Sequence, residues 1–417
     1  MIGRYRPLVA VPGFSRLILS AIAGRMPLGM ASLSILLTLR ESTHSFATAG
    51  VAVGGFAVAQ ATMSPLAGGL IDRFGIRAVL MPCAFGQAAA LTVLVAASDA
   101  HAAQAVLIAL AAAAGASMPP VAACARMLWP RITPDRATRD SAYALDSIAQ
   151  EVVWTAGPLV VGAIAGLASP RVAVLTSAGV SLVGTTLFAT APATRRVHAS
   201  RRGGALRAVL GCRPLQILFM IDLLLGLQIG VVEVGLPALA IHDRAHSAAG
   251  ILLSLWSIGS LAGGLVYGAR HWTSSAERQL ALLLLGSAAV TLPLAIAWDV
   301  PSACVFAFLA GICGAPLFSR LYSLVGDHAP ESAAGTAFSW NTAALVAGIA
   351  GGSALAGVSV SDLGAHAPFV LSVGFGVVAA AMTVAAGARL SVTAMCKPPC
   401  PPASRPTAPT SASSPTC

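Results

Sequence analysis

Five ionisable residues stand inside long apolar stretches of this sequence: Arg25, Asp146, Glu151, Asp222 and Glu233. A charged group in a stretch that would meet lipid is expensive, and is therefore normally paired or functional. A carboxyl group so placed can exchange a proton. Burial favours its neutral form and a neighbouring cation its ionised form, so the acid can be poised between the two. Arg25 follows Arg16 by nine residues, about 13 Å along a helix and near the middle of a bilayer core about 30 Å thick. Glu151 lies eleven residues past Asp140, about 16 Å in from the same face. On depth, Arg25 and Glu151 are the expected partners. They would form either a structural ion pair or a coupling site in which Glu151 carries the proton and Arg25 tunes it. Asp146 is shallower, and Glu233 falls near the far end of its stretch. Asp222, about 13 Å beyond Arg213, is expected to be a second protonatable or substrate-facing site, or a structural group. Gln150, Trp154, Gln228 and Asn341, with Trp256 and Trp340, are the polar and aromatic neighbours expected to line a cavity. Packing against lipid is the plainer role for any single tryptophan among them.

The elements that position these residues follow from composition. Of 417 residues, 57% are hydrophobic and only 10% charged, and the mean hydropathy is +0.82. A soluble domain carries about 25% charged residues to cover its surface, and a disordered chain is poor in hydrophobic residues. Both classes are excluded. The apolar runs lack the alternation of barrel strands, which leaves helices as the only elements able to satisfy their backbone in hydrocarbon. Twelve runs of spanning length are predicted, over 14–39, 46–70, 76–97, 102–126, 140–166, 170–190, 214–241, 247–269, 277–298, 301–324, 332–358 and 366–389. The first follows Arg4, Arg6 and Arg16 as a signal peptide would, but it is too long for one and is expected to be retained. The fold class is all-α integral membrane, with twelve transmembrane helices.

The basic residues test that count. With the N-terminus inside, 21 of the 25 Lys and Arg fall in inside segments, 3 outside (Arg40, Arg171, Arg244), and Arg25 within a span. This is the bias that orients membrane proteins, and it places both termini in the cytoplasm. Matches recur at an offset of about 195: Gly68-Gly69-Leu70 with Gly263-Gly264-Leu265, Ala125-Arg126 with Ser319-Arg320, and Ala142-Tyr143 with Ala337-Phe338. They predict two six-helix bundles in parallel, 14–190 and 214–390, after a cytoplasmic segment 1–13. The linker, 191–213, holds six arginines and no acid. It is expected to be solvated and attracted to anionic inner-leaflet lipid, not to nucleic acid, because no aromatic interleaving accompanies the charge. The Pro-, Ser- and Thr-rich segment 391–417 is expected to be a disordered cytoplasmic tail. Its Cys396 and Cys400 lack nearby histidines, so no metal is expected.

The turn between the second and third spans reads Gly68-Gly-Leu-Ile-Asp72-Arg73-Phe-Gly75-Ile-Arg77. An acid beside arginines can bridge helix ends, with the carboxylate facing an N-terminus and a guanidinium a C-terminus. With the six-plus-six repeat, this loop resembles the signature of the major facilitator superfamily of secondary transporters. Gly68, Asp72, Arg73, Gly75 and Arg77 match it as a gating loop, and Ile76 replaces one basic residue. In the fifth span, Gly157, Pro158 and Gly162 resemble the antiporter motif of the family's exporters, with Val153 and Val161 in place of glycines. The resemblance implies two pseudo-symmetric bundles that rock about a central site. It implies a transporter, not an enzyme, driven by the proton gradient without a cofactor and acting as a monomer. The Arg-over-Lys bias, with Lys397 the one lysine, points by composition to a GC-rich genome and hence to a bacterial inner membrane. Proton-coupled efflux of a small organic compound is the leading expectation. Proton-driven import is the first alternative, and a non-transporting sensor or scaffold the second. Drug exporters of the family often carry an acid in the first span. Arg25 stands there instead, which brings an anionic or zwitterionic substrate level with a cationic one.

Overall fold

The computed structural model describes residues 8, 11, 13–196, 205–242, 248–270, 272 and 274–390. Most of the leading segment, the middle of the linker, and the tail with Cys396 and Cys400 lie outside the described residues. All described regular structure is helical, and twelve helical spans are long and apolar enough to cross a membrane. In order they are Phe14–Thr43, Phe46–Phe74, Ile76–Asp99, Gln104–Ile132, Arg136–Leu167, Pro170–Ala189, Arg213–His242, Ala248–Ala269, Ala276–Ile296, Val300–His328, Glu331–Leu363 and Ala367–Ala385. They are called spans one to twelve below.

The expected starts of the first three spans coincide with the observed ones. Span eleven runs five residues past the expected end at 358. Its Ser359 and Ser361 hydroxyls donate to Ala356 and Gly357 carbonyls, so these polar residues satisfy themselves within the helix. Spans four and ten, expected to be continuous, are interrupted. Span four stops at Ala116 and restarts at Val121, where Pro119 and Pro120 supply no N–H. Span ten breaks at Ile312-Cys313. The two interruptions stand one repeat apart.

The repeat is visible in the packing. Within the first half, span one packs on five and six, two on four, and three on six. The second half repeats these pairings as seven on eleven and twelve, eight on ten, and nine on twelve. Small residues permit the close approaches, as expected where packing replaces a hydrophobic drive. A Cβ on Gly157 would stand 2.6 Å from the Gly29 carbonyl carbon, so spans five and one touch backbone to backbone. The repeat-related rings of Tyr143 and Phe338 meet with centroids 6.3 Å apart, which sets them beside the pseudo-twofold axis relating the halves.

One end of the bundle is arginine-rich, with Arg16, Arg73, Arg77, Arg131, Arg136 and Arg139; it is called the basic end. At the opposite end Arg171 forms an ion pair with Asp99 at 3.0 Å and approaches Glu41 at 3.9 Å.

Candidate substrate and coupling site

Asp146 is the centre of the buried charge. It lies eleven residues into span five, on the face that also carries Gln150, Val153 and Gly157 toward span one. Its Oδ1 accepts from Arg25 Nη2 at 2.6 Å and from Trp129 Nε1 at 3.3 Å, and its Oδ2 accepts from Arg126 Nε at 3.0 Å. Arg126 Nη2 also donates to Gln150 Oε1 at 3.4 Å, and its guanidinium carbon stands 3.6 Å from the Tyr322 ring centre in span ten. Arg25, Arg126 and Asp146 are all buried, so one carboxylate holds two cations and a stacked tyrosine closes the group toward the other half. Arg25 Nε and Nη1 have no partner among the described residues.

The expected partnership of Arg25 with Glu151 is therefore corrected: Arg25 pairs with Asp146. The reason is side-chain direction. Side chains on a helix lean toward its N-terminus, and span one begins at the basic end. The long Arg25 side chain thus reaches back to an acid shallower than its own Cα. Arg126 is a second correction. Sequence reasoning counted it, with Arg320, among the orienting charges, whereas both are buried inside interrupted spans. An arginine at the same repeat position of both halves, within an apolar run, was the available signal.

In the second half, Asp222 of span seven is buried and accepts a hydrogen bond from Asn341 Nδ2 of span eleven. Its other oxygen has no partner among the described residues. Asn341 and Asp146 are separated by 195 residues, so each half joins its first and fifth helices through the same repeat position. Gln228 and Asn341 are buried and bonded within the second half. Gln228 donates to Ser287 Oγ at 2.8 Å inside the second half, and Asn341 is spent on Asp222. Gln150 is buried in the Asp146 cluster. Of the four polar candidates, Trp154 alone is exposed.

The basic end holds the halves together. Asp72 Oδ1 accepts the Gly335 N–H at 2.9 Å. Its Oδ2 accepts the Thr336 N–H at 2.7 Å and the Thr336 hydroxyl at 2.6 Å. A carboxylate from span two thus caps the start of the span-eleven helix, where the helix dipole favours negative charge. A Cβ on Gly68 would stand 2.6 Å from the Gly335 oxygen, and Gly75 turns the chain at φ +87°, a region that favours glycine. Arg73 lies over the neighbouring Phe74 ring, 5.0 Å from its centre. Arg136 and Arg139 reach Asp327 at 2.9 and 3.0 Å. Asp140 accepts from Ser323 Oγ at 2.7 Å and pairs with Arg320 at 3.5 Å. These links between halves all lie toward the basic end. In the antiporter-like motif only Gly157 makes a close contact; Pro158 is exposed and nothing approaches Gly162.

Beyond this closed end lie Glu151 and Glu233. Both are flanked by protein on most sides yet open to solvent, Glu233 more than Glu151, so they face the space between the halves. The Glu151 carboxylate lies near Ser260 of span eight and within electrostatic reach of Glu233 of span seven. Ser260 Oγ already accepts the Ala315 N–H at 2.9 Å, which leaves its own hydrogen for the acid. No ion pair involves Glu151 or Glu233 among the described residues.

Twelve spans in two repeated halves, closed at one end around a charged interior, define a polytopic membrane transporter, which is not an enzyme. The family model described as Major Facilitator Superfamily matches residues 17–270 and 218–413; the chain belongs to that family. A search of curated proteins finds no significant match. Among solved structures, the human organic anion transporter MFSD10 is similar, with 17% identity, 89% of this chain and 99% of that one covered, and a TM-score of 0.71. A bacterial homologue of the iron transporter ferroportin in an outward-facing state is similar at 14% identity, 90% and 99% coverage and a TM-score of 0.71. The proton:xylose symporter XylE gives 14%, 88% and 94%, and 0.69. At these identities the likeness concerns the fold.

Proposed function

We propose that this transporter exports a small organic compound across the cytoplasmic membrane in exchange for protons, by alternating access. The observation that carries the reading is Glu151: an acid deep between the halves, open to solvent and without a cationic partner among the described residues. Such an acid can take and release a proton as the site opens to either side. Asp146 is the less suitable carrier because both of its oxygens are already occupied by hydrogen bonds from Arg25, Arg126 and Trp129. The arginine-rich end faces the cytoplasm on the charge rule, against anionic inner-leaflet lipid, with both termini there. The links at that end, absent from the far end among the described residues, then correspond to an outward-facing state. The close Gly29–Gly157 seam supports the reading by keeping spans one and five together as the first half moves. The similar structures are transporters of organic anions, iron and xylose, which differ too widely to choose a substrate. The chain is expected to act as a monomer.

Liposomes holding the purified protein and a luminal pH dye test this. A panel of small organic cations, anions and neutral compounds is added outside. Antiport makes the lumen alkaline as a compound enters, and symport makes it acidic, whichever way the protein inserts. Glu151→Gln is expected to abolish the response. Acidification would replace export with import, and an undiminished response in Glu151→Gln would remove that residue from coupling.

A further inference from the structure

Arg25 in the first span weighs toward an anionic substrate while its partner is unknown. The structure removes that weight. Arg25 is enclosed and bonded to Asp146 at 2.6 Å, and Arg126 is bonded to the same carboxylate and covered by Tyr322. The cations of the interior are thus committed to one another's counter-ion and shielded from the space between the halves. What that space does present is two carboxylates, Glu151 from span five and Glu233 from span seven, within electrostatic reach of one another. Like charges so placed repel when both are ionised. No arginine or lysine pairs with either among the described residues.

An aromatic ring completes the group. Trp154 stands three residues beyond Glu151, so the two are neighbours on one helix surface. Val153, Gly157 and Val161 mark the face of span five turned inward on the first half, and Ile148, against Gly264, marks the face turned to span eight. At 100° per residue Trp154 falls between these two faces, on the side where Glu151 is open. It is 48% exposed, a large ring left uncovered beside an unpaired acid. Tryptophan is the best aromatic partner for a cation.

We propose that the site takes an organic cation, a lipophilic amine or quaternary onium compound, held between Glu151 and Glu233 and against the Trp154 ring. The inference rests on the transport reading above and names its substrate class. Two carboxylates and an indole supply too few oxygens for a hard metal cation, which takes six to eight, whereas they match a diffuse positive charge with apolar substituents. Because the two acids come from different halves, a bound cation draws both bodies onto itself. The same carboxylates that release a cation can receive protons, so the two ligands exclude one another. Ser260, fixed by the Ala315 N–H, positions the Glu151 carboxylate.

The test is equilibrium binding to the full chain in lipid nanodiscs, without a pH gradient. Tetraphenylphosphonium and benzyltrimethylammonium are the cationic probes, with benzoate and benzyl alcohol as the anionic and neutral counterparts. At least one cation is expected to bind and to raise the melting temperature, while benzoate and benzyl alcohol do neither. Glu151→Gln and Glu233→Gln are each expected to weaken cation binding about tenfold or more, and Trp154→Ala about fivefold, with Trp154→Phe retaining most affinity. Unchanged melting of the unliganded Gln variants, and binding retained in Glu151→Asp, show that the loss is not one of folding. Binding of benzoate in place of the cations, no cation binding, or wild-type affinity in both Gln variants would overturn the proposal. Proton coupling stands or falls separately: cation binding without any cation-dependent pH change in liposomes overturns the transport reading and not this one.

Discussion

Removing the charge of Asp146 is the most decisive perturbation of the interior. Asp146→Asn keeps the volume and one acceptor oxygen but leaves Arg25 and Arg126 enclosed without a counter-ion. Each guanidinium–carboxylate attraction is worth about 4 kcal/mol at 4 Å and an effective dielectric of about 20. Against these two attractions stands the desolvation of the carboxylate, several kcal/mol, which the amide avoids. Buried pairs broken on one side lose about 3–5 kcal/mol, and that is the expected cost here. For a body of about 200 residues it corresponds to a melting temperature lower by roughly 6–20 °C. The assay is intrinsic-fluorescence melting of the purified protein at a fixed scan rate, since membrane proteins commonly unfold irreversibly. Arg25→Met alone and with Asp146→Asn completes a double-mutant cycle. The double variant is expected to be more stable than the sum of the singles by over about 1 kcal/mol. Glu151→Gln is expected to melt close to wild type. A small effect of Asp146→Asn, or coupling of Arg25→Met to Glu151→Gln instead, would refute the assignment of the pair.

Two further outcomes follow from backbone and helix-end contacts. Gly157→Ala places a methyl group 2.6 Å from the Gly29 carbonyl carbon and is expected to cost about 1–3 kcal/mol by overpacking, whereas Gly162→Ala, in open space, leaves melting unchanged. Asp72→Asn removes the charged cap from span eleven, worth about 1–2 kcal/mol. It should therefore raise the population open at the basic end about 5- to 30-fold, read as labelling of cysteines introduced beside Gly68 and Ser339.

How far the sequence carried was decided by the kind of information each feature needs. Span number and the parallel repeat depend on hydropathy and offset alone, and span starts such as Phe14, Phe46 and Ile76 are set by local residues. The interruption of span four could have been drawn from Pro119-Pro120, and that of span ten from Pro316, which stands in the first turn of its second piece one repeat further on. Site residues fared differently. Arg25, Asp146, Glu151 and Asp222 were identifiable as costly charges, yet their partners depend on helix rotation and side-chain lean. Arg126 looked like a topological charge because span four was expected to end at 126, whereas the helix runs on to Ile132 and Arg126 is covered by Tyr322 of span ten. Gln228 was polar at a suitable depth, but faces Ser287 inside its own half.

The Tyr143–Phe338 contact at the pseudo-twofold axis has a consequence for ancestry. In a symmetric dimer the residue on the axis touches its own copy, so these rings mark where a six-helix ancestor met a second molecule of itself. One position in that ancestor became both Asp146 and Asn341. In one copy the slot now gathers two arginines, and in the other it holds an acid in place. The difference between a half whose buried acid gathers two arginines and a half whose buried acid is held by an amide is thus a divergence at a single duplicated site, and reconstructing the symmetric pair there would show which role came first.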